Sequence, residues 1–248
     1  MNIFDVHIKN GEIIDGTGAP KFKSDIVIDN GKIIGIFPAE NGDVRDPSEK
    51  HFLSNFEAKR TINAENKIVS PGFIDVHTHD DNNVFLDPSM SSKISQGVTT
   101  CVAGNCGISL APFSYKGGVP APIALLGKSE VFRFARVNDY KEEFNNKPSS
   151  VNLALLTGHS MLRVEAMNGE FDRPATSKEI SKMVDKLKLA LEDGSIGLST
   201  GLAYPAANDA PTSEIIELAK ILPEFNGIFT THMRNEAVDV IKSVNETI

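Results

Sequence analysis

His77 and His79 are separated by one residue at the end of an apolar run that begins at Ile68. In an extended strand the side chains of residues i and i+2 point to the same side, so the two imidazoles can reach one metal ion. Asp80 and Asp81 follow directly, which indicates that the strand opens into a polar site. A His-x-His pair is only moderately specific, and ordinary polarity at a strand end is the alternative interpretation. The pair predicts a metal site if further ligands end neighbouring strands.

Two other residues with metal-binding side chains follow later strand-like runs. Cys106 comes after the β-branched run 98–103, and His232 ends the fifth such run. Imidazole nitrogen together with thiolate sulfur favours zinc over magnesium or calcium. Taken alone, Cys106 is more often a small buried residue, and His232 is as often a satisfied strand-end histidine. Their shared position after predicted strands favours one site with His77 and His79.

His159 and Cys101 are weaker candidates. His159 follows the run 151–157 within Gly-His-Ser, which is either a simple turn or part of the site lining. Cys101 lies inside a predicted strand and is interpreted as a core residue. Two cysteines are too few for a disulfide framework. Cys101 and Cys106 lie close enough in sequence to pair, but a reducing compartment favours a metal-binding or buried thiol.

Apolar runs alternate with helical segments from residue 68 onward. The clearest helix is predicted from the capping box of Thr176 and Glu179 to Gly194. This alternation predicts a parallel sheet whose site lies at the carboxyl ends of the strands. A doubly wound fold fits the alternation too, but it usually offers a phosphate-binding loop, and the sequence has neither a G-x-G-x-x-G nor a Walker motif. The predicted strands are 68–76, 98–103, 151–157, 196–200 and 227–232.

The first part of the chain has a different pattern. Short alternating runs and two Asn-Gly pairs, at Asn10 and Asn30, predict hairpin turns in a small antiparallel sheet. Residues 39–61 are polar and show no clear period, so they are interpreted as a surface excursion.

Composition limits the class of protein. The 248 residues carry a formal charge of −8, which argues against nucleic acid or an anionic membrane as the main partner. Apolar residues make up 40%, and no run approaches the roughly 18 apolar residues of a spanning helix. The N-terminus lacks a basic segment of the kind that precedes a signal sequence. These features predict a cytoplasmic protein with no membrane partner.

Several motifs resemble one enzyme family. Residues 70–81 resemble the first-strand motif of the amidohydrolase superfamily. Residues 94–100 and 104–112 are narrower and resemble its D-aminoacylase (N-acyl-D-amino-acid deacylase) branch. Four further segments resemble the same branch: 158–160, 197–201, Tyr204 with Pro205, and 231–236. The resemblance covers essentially the whole chain.

The resemblance implies an α/β fold with an incomplete (β/α)8 barrel of TIM type, about five βα units, preceded by a small β-sandwich segment. Residues 1–65 are then a partial β-sandwich, and residues 66–248 are the N-terminal part of a metal-dependent hydrolase barrel. Position by position, His77 and His79 resemble the looser metal site, and Cys106 and His232 part of the tight zinc site.

Three residues are candidates for substrate binding, and the resemblance implies the first of them. Tyr204 matches a tyrosine in the substrate-binding loop of the family. His159 is the second candidate, with the simple turn as its alternative. Arg234 is the third, for pairing with a substrate carboxylate, and a structural salt bridge is the favoured alternative.

The implied function is zinc-dependent hydrolysis of the amide bond of N-acyl-D-amino acids, with a small-molecule substrate. A cyclic-amide hydrolase of dihydroorotase or hydantoinase type is the alternative enzyme. That alternative expects a lysine at the end of the fourth strand, and residues 196–200 contain none. A third interpretation is an inactive truncated remnant or an interaction subunit.

In this family the zinc site is completed by a histidine after the sixth strand, and an aspartate after the eighth acts as general base. The chain ends at Ile248, so the general-base aspartate is expected beyond residue 248 and the catalytic residue stays unknown. Asp80 and Asp81 follow the first strand, but nothing in the sequence places them across the metals from a substrate. We therefore expect the 248 residues alone to show no appreciable deacylase activity.

Overall fold

The computed structural model describes residues 2–38 and 56–248, and the chain divides into two units, Met1–Gly72 and Phe73–Ile248. The first unit contains one five-stranded sheet, with strand order β3-β2-β1-β4 and β5 also paired to β1. The sheet is mixed, because β2 pairs antiparallel with β1 and β3 whereas β4 and β5 run parallel to β1. Its strands are β1 (Asn2–Ile13), β2 (Phe22–Asp29), β3 (Lys32–Pro38), β4 (Phe56–Asn63) and β5 (Ile68–Val69).

The antiparallel pairing predicted for the first part of the chain is confirmed for β1, β2 and β3. The strand β4 begins at Phe56, so the interpretation of 39–61 as a surface excursion is wrong for its last residues, and residues 39–55 lie outside the described part of the chain. Two parallel neighbouring strands must be joined by a long connection. The connection between β1 and β4 includes the β2–β3 hairpin. Within the described residues the unit is a single sheet, and its membership of a β-sandwich stays a prediction.

The two Asn-Gly pairs have different roles. Asn30 and Gly31 have φ angles of 48° and 72° and form the turn between β2 and β3, as predicted. The hairpin predicted at Asn10 is wrong, because β1 continues through it and pairs with β4 as far as Lys9. Asn10 has a φ of 61°, and the register of β1 with β2 shifts there, as in a β-bulge.

The apolar run that begins at Ile68 does not form one strand. Ile68 and Val69 pair with Glu12 and Ile13 in the first unit. The first strand of the second unit begins only at Phe73. Pro71 separates the two strands, since a proline has no N–H to donate to a ladder.

The second unit is built on parallel strands. Two three-stranded sheets have the orders β6-β7-β10 and β11-β12-β13, and every pairing in them is parallel. Residues 152–158 join them, because β10 pairs with β7 and β11 pairs with β12. Five parallel strand positions thus follow one another in chain order, as the sequence predicted. The strands are β6 (Phe73–Asp75), β7 (Val98–Ala103), β10 (Asn152–Leu155), β11 (Thr157–Gly158), β12 (Gly197–Gly201) and β13 (Ile228–His232).

Helices occupy most of the connections between these strands. Seven α-helices lie in the described part of the chain: α1 (Asn83–Leu86), α2 (Ser91–Ile94), α3 (Val137–Asn146), α4 (His159–Ala166), α5 (Ser177–Glu192), α6 (Thr212–Ala219) and α7 (Val240–Thr247). Three 3₁₀ segments, Ile123–Leu126, Ser129–Val131 and Leu222–Phe225, and an antiparallel pair, β8 (Phe113–Ser114) with β9 (Arg133–Phe134), complete the unit.

The helix α5 confirms the predicted capping box. Thr176 Oγ1 accepts a hydrogen bond from Glu179 N, and Glu179 Oε2 accepts one from Thr176 N. Its buried face repeats every four residues and packs in a cluster with apolar side chains of α4, α6 and β12. That cluster contains Leu162, Met183, Leu187, Leu191, Leu198, Leu218 and Leu222.

A larger cluster of buried side chains lies around β7, β10 and the segment between them. The fold is therefore mixed α/β, with helices covering a parallel sheet. Across residues 2–38 and 56–248, none of the helices combines the length and the apolar character needed to span a membrane.

Candidate metal centre

The His-x-His segment lies just beyond the end of β6. The residue between the two histidines, Thr78, is buried and donates its N–H to Val102 O over 3.1 Å. Thr78 is thus tied to the end of β7. The ring centroids of His77 and His79 lie 5.8 Å apart. The two imidazoles therefore share one side of the chain, as the i, i+2 spacing predicted.

Cys106 lies in the tight loop that follows β7. Its φ of 56° is in the left-handed region, and the flanking glycines Gly104 and Gly107 have φ angles of 79° and 74°. A non-glycine residue in this conformation costs on the order of 1–3 kcal/mol and persists only where its surroundings hold it. Asn105 contributes to that support by donating from Nδ2 to Val76 O at 3.3 Å and Val102 O at 2.9 Å. The loop is thus fastened to the ends of two neighbouring strands.

The structure brings three of the predicted ligands together. The ligand atoms of His77, His79 and Cys106 all lie within 4.8 Å of one another. Cys106 Sγ lies 3.1 Å from His77 Nε2 and 3.9 Å from His232 Nδ1, so the fourth residue adjoins the same thiol. A tetrahedral zinc ion would hold one sulfur and one nitrogen ligand roughly 3.5 Å apart. The two measured distances bracket that separation.

An unsatisfied polar atom supports the fit to a metal. His79 Nδ1 is buried and has no hydrogen-bond partner among the described residues. Buried polar atoms are usually paired, so this nitrogen is available to a ligand. Two imidazole nitrogens and a sulfur, with a further imidazole beside them, form a donor set suited to zinc. The residues present therefore fit a zinc ion.

His232 is placed by β13 and contacted from two sides. In the parallel pairing of β12 with β13, His232 is opposite Gly201 at the end of β12. His232 therefore lies beside the loop that follows β12. The Tyr204 hydroxyl lies 3.0 Å from His232 Nδ1, and the ring centroids are 4.7 Å apart. On the other side of the imidazole, Nε2 lies 3.5 Å from Glu236 Oε1. Tyr204 thus lies beside the cluster, and its substrate-binding role stays a prediction.

Burial controls the protonation of the candidate ligands. It raises the pKa of the Cys106 thiol, with a smaller lowering contribution from the Tyr204 hydrogen bond. Burial also lowers the pKa of His79, and the neighbouring His77 lowers it further. The imidazole is therefore held in the neutral form that binds metals, whereas the thiol must lose its proton when a metal binds.

His159 does not line an accessible site. Its side chain is completely buried, and Nε2 lies 2.9 Å from Glu214 Oε1. Glu214 is also completely buried and contacts both Nη1 of Arg163 and His159. The proposed substrate-binding role of His159 thus has no support from the structure. His159 is the first residue of α4, and its side chain contacts Glu214 of α6.

Arg234 is engaged within the protein. Its Nε and Nη2 donate to the Glu246 carboxylate at 2.9 and 2.7 Å. Its Nη1 donates to Asn208 O and its Nη2 to Ala210 O. All three guanidinium nitrogens have protein partners, so the structure supports the salt bridge, which was already the favoured interpretation from the sequence.

Three supporting residues were not identified from the sequence. Glu236 follows His232 by four positions, a spacing that could have signalled it. Ser199 accepts a hydrogen bond from Gly107 N and donates to Gly104 O, across the loop of Cys106. Asp81 is completely buried, and burial raises its pKa to about 6 despite hydrogen bonds from backbone N–H groups. The sequence carried no signal for the contacts of Ser199 or Asp81.

Comparisons with known proteins place the chain in one enzyme family. A model of the amidohydrolase family matches residues 60–246. The D-aminoacylase of Alcaligenes xylosoxydans xylosoxydans is 41% identical over 98% of this chain and 47% of its own length. The N-acyl-D-aspartate deacylase of the same organism is 39% identical over 98% of this chain and 46% of its own length. The chain thus spans about half the length of the curated relatives it matches.

Solved structures show the same similarity. A crystal structure of D-aminoacylase superposes with a TM-score of 0.88 at 43% identity, covering 98% of this chain and 48% of the other. N-acyl-D-glutamate deacylase from Bordetella bronchiseptica, complexed with zinc and a phosphonate inhibitor, gives 0.87 at 40% identity over 98% of this chain and 48% of the other. The L-hydantoinase of Arthrobacter aurescens gives 0.56 at 18% identity over 98% of this chain and 43% of the other, which is a likeness of fold alone.

Proposed function

This chain belongs to the amidohydrolase family, and from that premise we propose that it carries the metal-ligand part of a zinc-dependent hydrolase of N-acyl-D-amino acids. The observation that carries the proposal is the convergence on Cys106 Sγ of His77 Nε2 at 3.1 Å and His232 Nδ1 at 3.9 Å. The five parallel strands of the second unit support a finer fold assignment, in which Phe73–Ile248 are about five βα units of a TIM-type barrel.

The substrate class follows from the relatives. Those that match most of this chain are a D-aminoacylase, an N-acyl-D-aspartate deacylase and an N-acyl-D-glutamate deacylase. Their identities of 41%, 39% and 38% are too similar to select one amino-acid side chain. We therefore assign a linear N-acyl-D-amino acid as substrate and leave its side chain open.

His77, His79, Cys106 and His232 are the residues that would hold zinc. When bound, zinc polarises the amide carbonyl and lowers the pKa of water. The Tyr204 hydroxyl lies 3.0 Å from His232 Nδ1, so a group that can donate a hydrogen bond is held beside the cluster. We assign Tyr204 the role of orienting the substrate carbonyl there, because a fixed donor next to the reacting centre needs no reorganisation during the reaction.

Neither aspartate after the His-x-His segment suits the proton-transfer role. Asp81 is completely buried, and its two carboxylate oxygens accept from Gly104 N and Leu110 N. Asp80 Oδ2 lies 3.1 Å from Lys93 Nζ, in an ion pair. A group that transfers protons must reach the substrate, and both carboxylates are directed into the protein instead. We assign proton transfer to neither of them.

The structure also bears on the cyclic-amide alternative. That reaction type was expected to place a lysine at the end of the fourth strand. The strand β12 (Gly197–Gly201) has no lysine, and Ser199 in it contacts the backbone of the Cys106 loop. The hydantoinase likeness at 18% identity concerns fold alone. These observations favour linear amides as substrates.

The test begins with zinc binding by the 248-residue protein and continues with a chimera. In the chimera this chain replaces the matched segment of the Alcaligenes D-aminoacylase. We expect turnover of N-acetyl-D-amino acids, and none of their L-enantiomers or of hydantoin. Cys106→Ala should abolish turnover, whereas Cys101→Ala should retain it.

A folded, zinc-loaded chimera without turnover of any D-substrate would contradict the proposal, provided that the intact relative is active in the same assay. Preferential turnover of hydantoin would support the cyclic-amide alternative. Absence of zinc binding by the chain would support a non-enzymatic role.

A further inference from the structure

We propose that Asp81 is a positioning residue that holds the Cys106 loop against the His-x-His segment. The inference rests on the proposed zinc site and adds a residue that positions one of its ligands. Asp81 follows His79 by two residues and is completely buried. Its Oδ2 accepts a hydrogen bond from Gly104 N at 3.3 Å, and its Oδ1 accepts one from Leu110 N at 3.0 Å. One carboxylate therefore links the two segments that carry three of the four candidate ligands.

The loop needs such a fastening because it is outside the strand ladder. The strand β7 ends at Ala103, three residues before Cys106. Gly104 and Leu110 lie on either side of Cys106, so the two hydrogen bonds of Asp81 hold both ends of its loop. Between them Cys106 has a φ of 56°, a conformation that relaxes unless neighbouring contacts maintain it.

Asp81 is itself held in place. Its backbone carbonyl accepts a hydrogen bond of 2.6 Å from the Tyr140 hydroxyl, and Tyr140 is buried in α3. Because the backbone of Asp81 is held, its carboxylate can hold Gly104 N and Leu110 N in place. Ser199 contacts the same loop at Gly104 O and Gly107 N, so Asp81 and Ser199 together hold it.

The geometry excludes two other roles for this carboxylate. Asp81 is absent from the group of His77, His79 and Cys106 whose ligand atoms lie within 4.8 Å, so among the described residues it is not a member of that ligand cluster. Both of its oxygens are occupied by backbone N–H groups and the side chain has no accessible surface, so it does not contact substrate. Its effect on the site passes through the loop of Cys106.

The experiment compares Asp81→Asn with the original chain. Asparagine keeps the shape and one acceptor oxygen, but its NH2 group then faces a backbone N–H. We expect zinc affinity, measured by chelator competition, to fall about 10–100-fold, as for other outer-shell partners of metal ligands. With cobalt in place of zinc, the absorption band that reports the thiolate–cobalt bond should weaken relative to the d–d bands.

Two controls separate positioning from general damage. Asp80→Asn alters the adjacent carboxylate, which pairs with Lys93 at 3.1 Å. It should change zinc affinity less than about fivefold, because ion pairs of this kind contribute little free energy. Glu214→Gln alters another completely buried carboxylate. It should lower stability and leave the thiolate–cobalt band unchanged.

A second readout needs no metal. In a Cys101→Ala background Cys106 is the remaining cysteine, so the rate of its alkylation reports the loop alone. Asp81→Asn should raise this rate severalfold.

Each outcome has a separate consequence. Wild-type zinc affinity, an unchanged cobalt spectrum and an unchanged alkylation rate in Asp81→Asn would overturn the inference and leave the zinc site intact. If the original chain binds no zinc, or binds it equally well after Cys106→Ala, the proposed zinc site fails. In that case the alkylation rate still decides whether Asp81 holds the loop.

Discussion

Cys106 Sγ and His232 Nδ1 lie 3.9 Å apart although 126 positions separate the two residues in the chain. The approach is produced by parallel strands, because Cys106 follows β7 and His232 ends β13 at the same edge of the sheet array. Tyr204 joins them through its hydroxyl, 3.0 Å from the same imidazole nitrogen. Residues from three separate strand ends thus meet at one thiol.

Replacement of Cys106 should affect zinc affinity, whereas replacement of Cys101 should affect stability. Cys106→Ala removes the sulfur next to His77 and His232 and should lower zinc affinity at least about a hundredfold, beyond the usual effect of an outer-shell change. Cys101→Ala, in the interior of β7, should leave affinity unchanged and lower stability by about 1 kcal/mol through its small cavity. Chelator competition and urea denaturation measure the two effects. Equal losses of affinity would contradict the assignment of Cys106.

The buried carboxylate of Glu214 should be important for stability. Glu214→Ala leaves the completely buried Arg163 without its ion-pair partner and should cost about 3–5 kcal/mol of unfolding free energy. The matched control is Glu217→Ala in the same helix α6, where the carboxylate pairs with Lys220 at the surface. That change should cost less than about 1 kcal/mol. Urea denaturation of both variants is the measurement, and comparable costs would show that the Arg163 pair contributes little.

The capping box of α5 should make stability depend on pH. Hydrogen bonds from Arg173 and Thr176 lower the pKa of Glu179 to about 2. Because the folded-state pKa is below the ordinary value of 4.5, this stabilisation is complete above that value and is lost as pH falls toward 2. Glu179→Gln should therefore lower stability by about 1–2 kcal/mol at pH 7, with a difference that shrinks between pH 5 and about 2.

The measurement for Glu179 is urea denaturation at a series of pH values. Glu192→Gln, at the other end of α5, is the control and should show a smaller difference. A Glu179→Gln effect that stays constant from pH 7 to pH 2 would rule out the ionised carboxylate as its cause.

The turn before Cys106 should not tolerate a side chain. Gly104 has a φ of 79°, and an added Cβ would lie 2.1 Å from Leu156 O, well inside van der Waals contact. Gly104→Ala should cost more than about 2 kcal/mol and also lower zinc affinity, because the loop must shift. Gly118→Ala is the control, since nothing lies within 4 Å of its added Cβ. Denaturation and zinc titration would detect the contrast, and a fully stable Gly104→Ala variant would disprove the close approach.

Local features were predictable from the sequence. The turn at Asn30 and the capping box of Thr176 and Glu179 agree with the structure, and each depends on residues within one turn. The parallel pairing of β7 with β10 is not local, but it was predicted from the alternation of strand-like and helical segments along the chain. The types of the candidate ligands were also evident, since His77, His79, Cys106 and His232 each follow a strand-like run.

Other features were decided only by the tertiary structure. Asn10 lies in a bulge and not in a hairpin turn, because β4 pairs along the other edge of β1. His159 is buried against Glu214, and Arg234 is paired with Glu246, whereas the sequence left substrate contact open for both. These outcomes depend on which distant element packs against a residue, and a local pattern carries no information about that partner.

The sequence by itself thus determined which side chains are available for chemistry and which segments carry them. The tertiary structure decided which of them meet, because the 3.1 Å and 3.9 Å approaches to Cys106 Sγ are set by strand register and by loop contacts such as those of Asp81 and Ser199. Hydrogen bonds across 29 and 92 positions of chain hold that loop, and such bonds form only once the strands have paired.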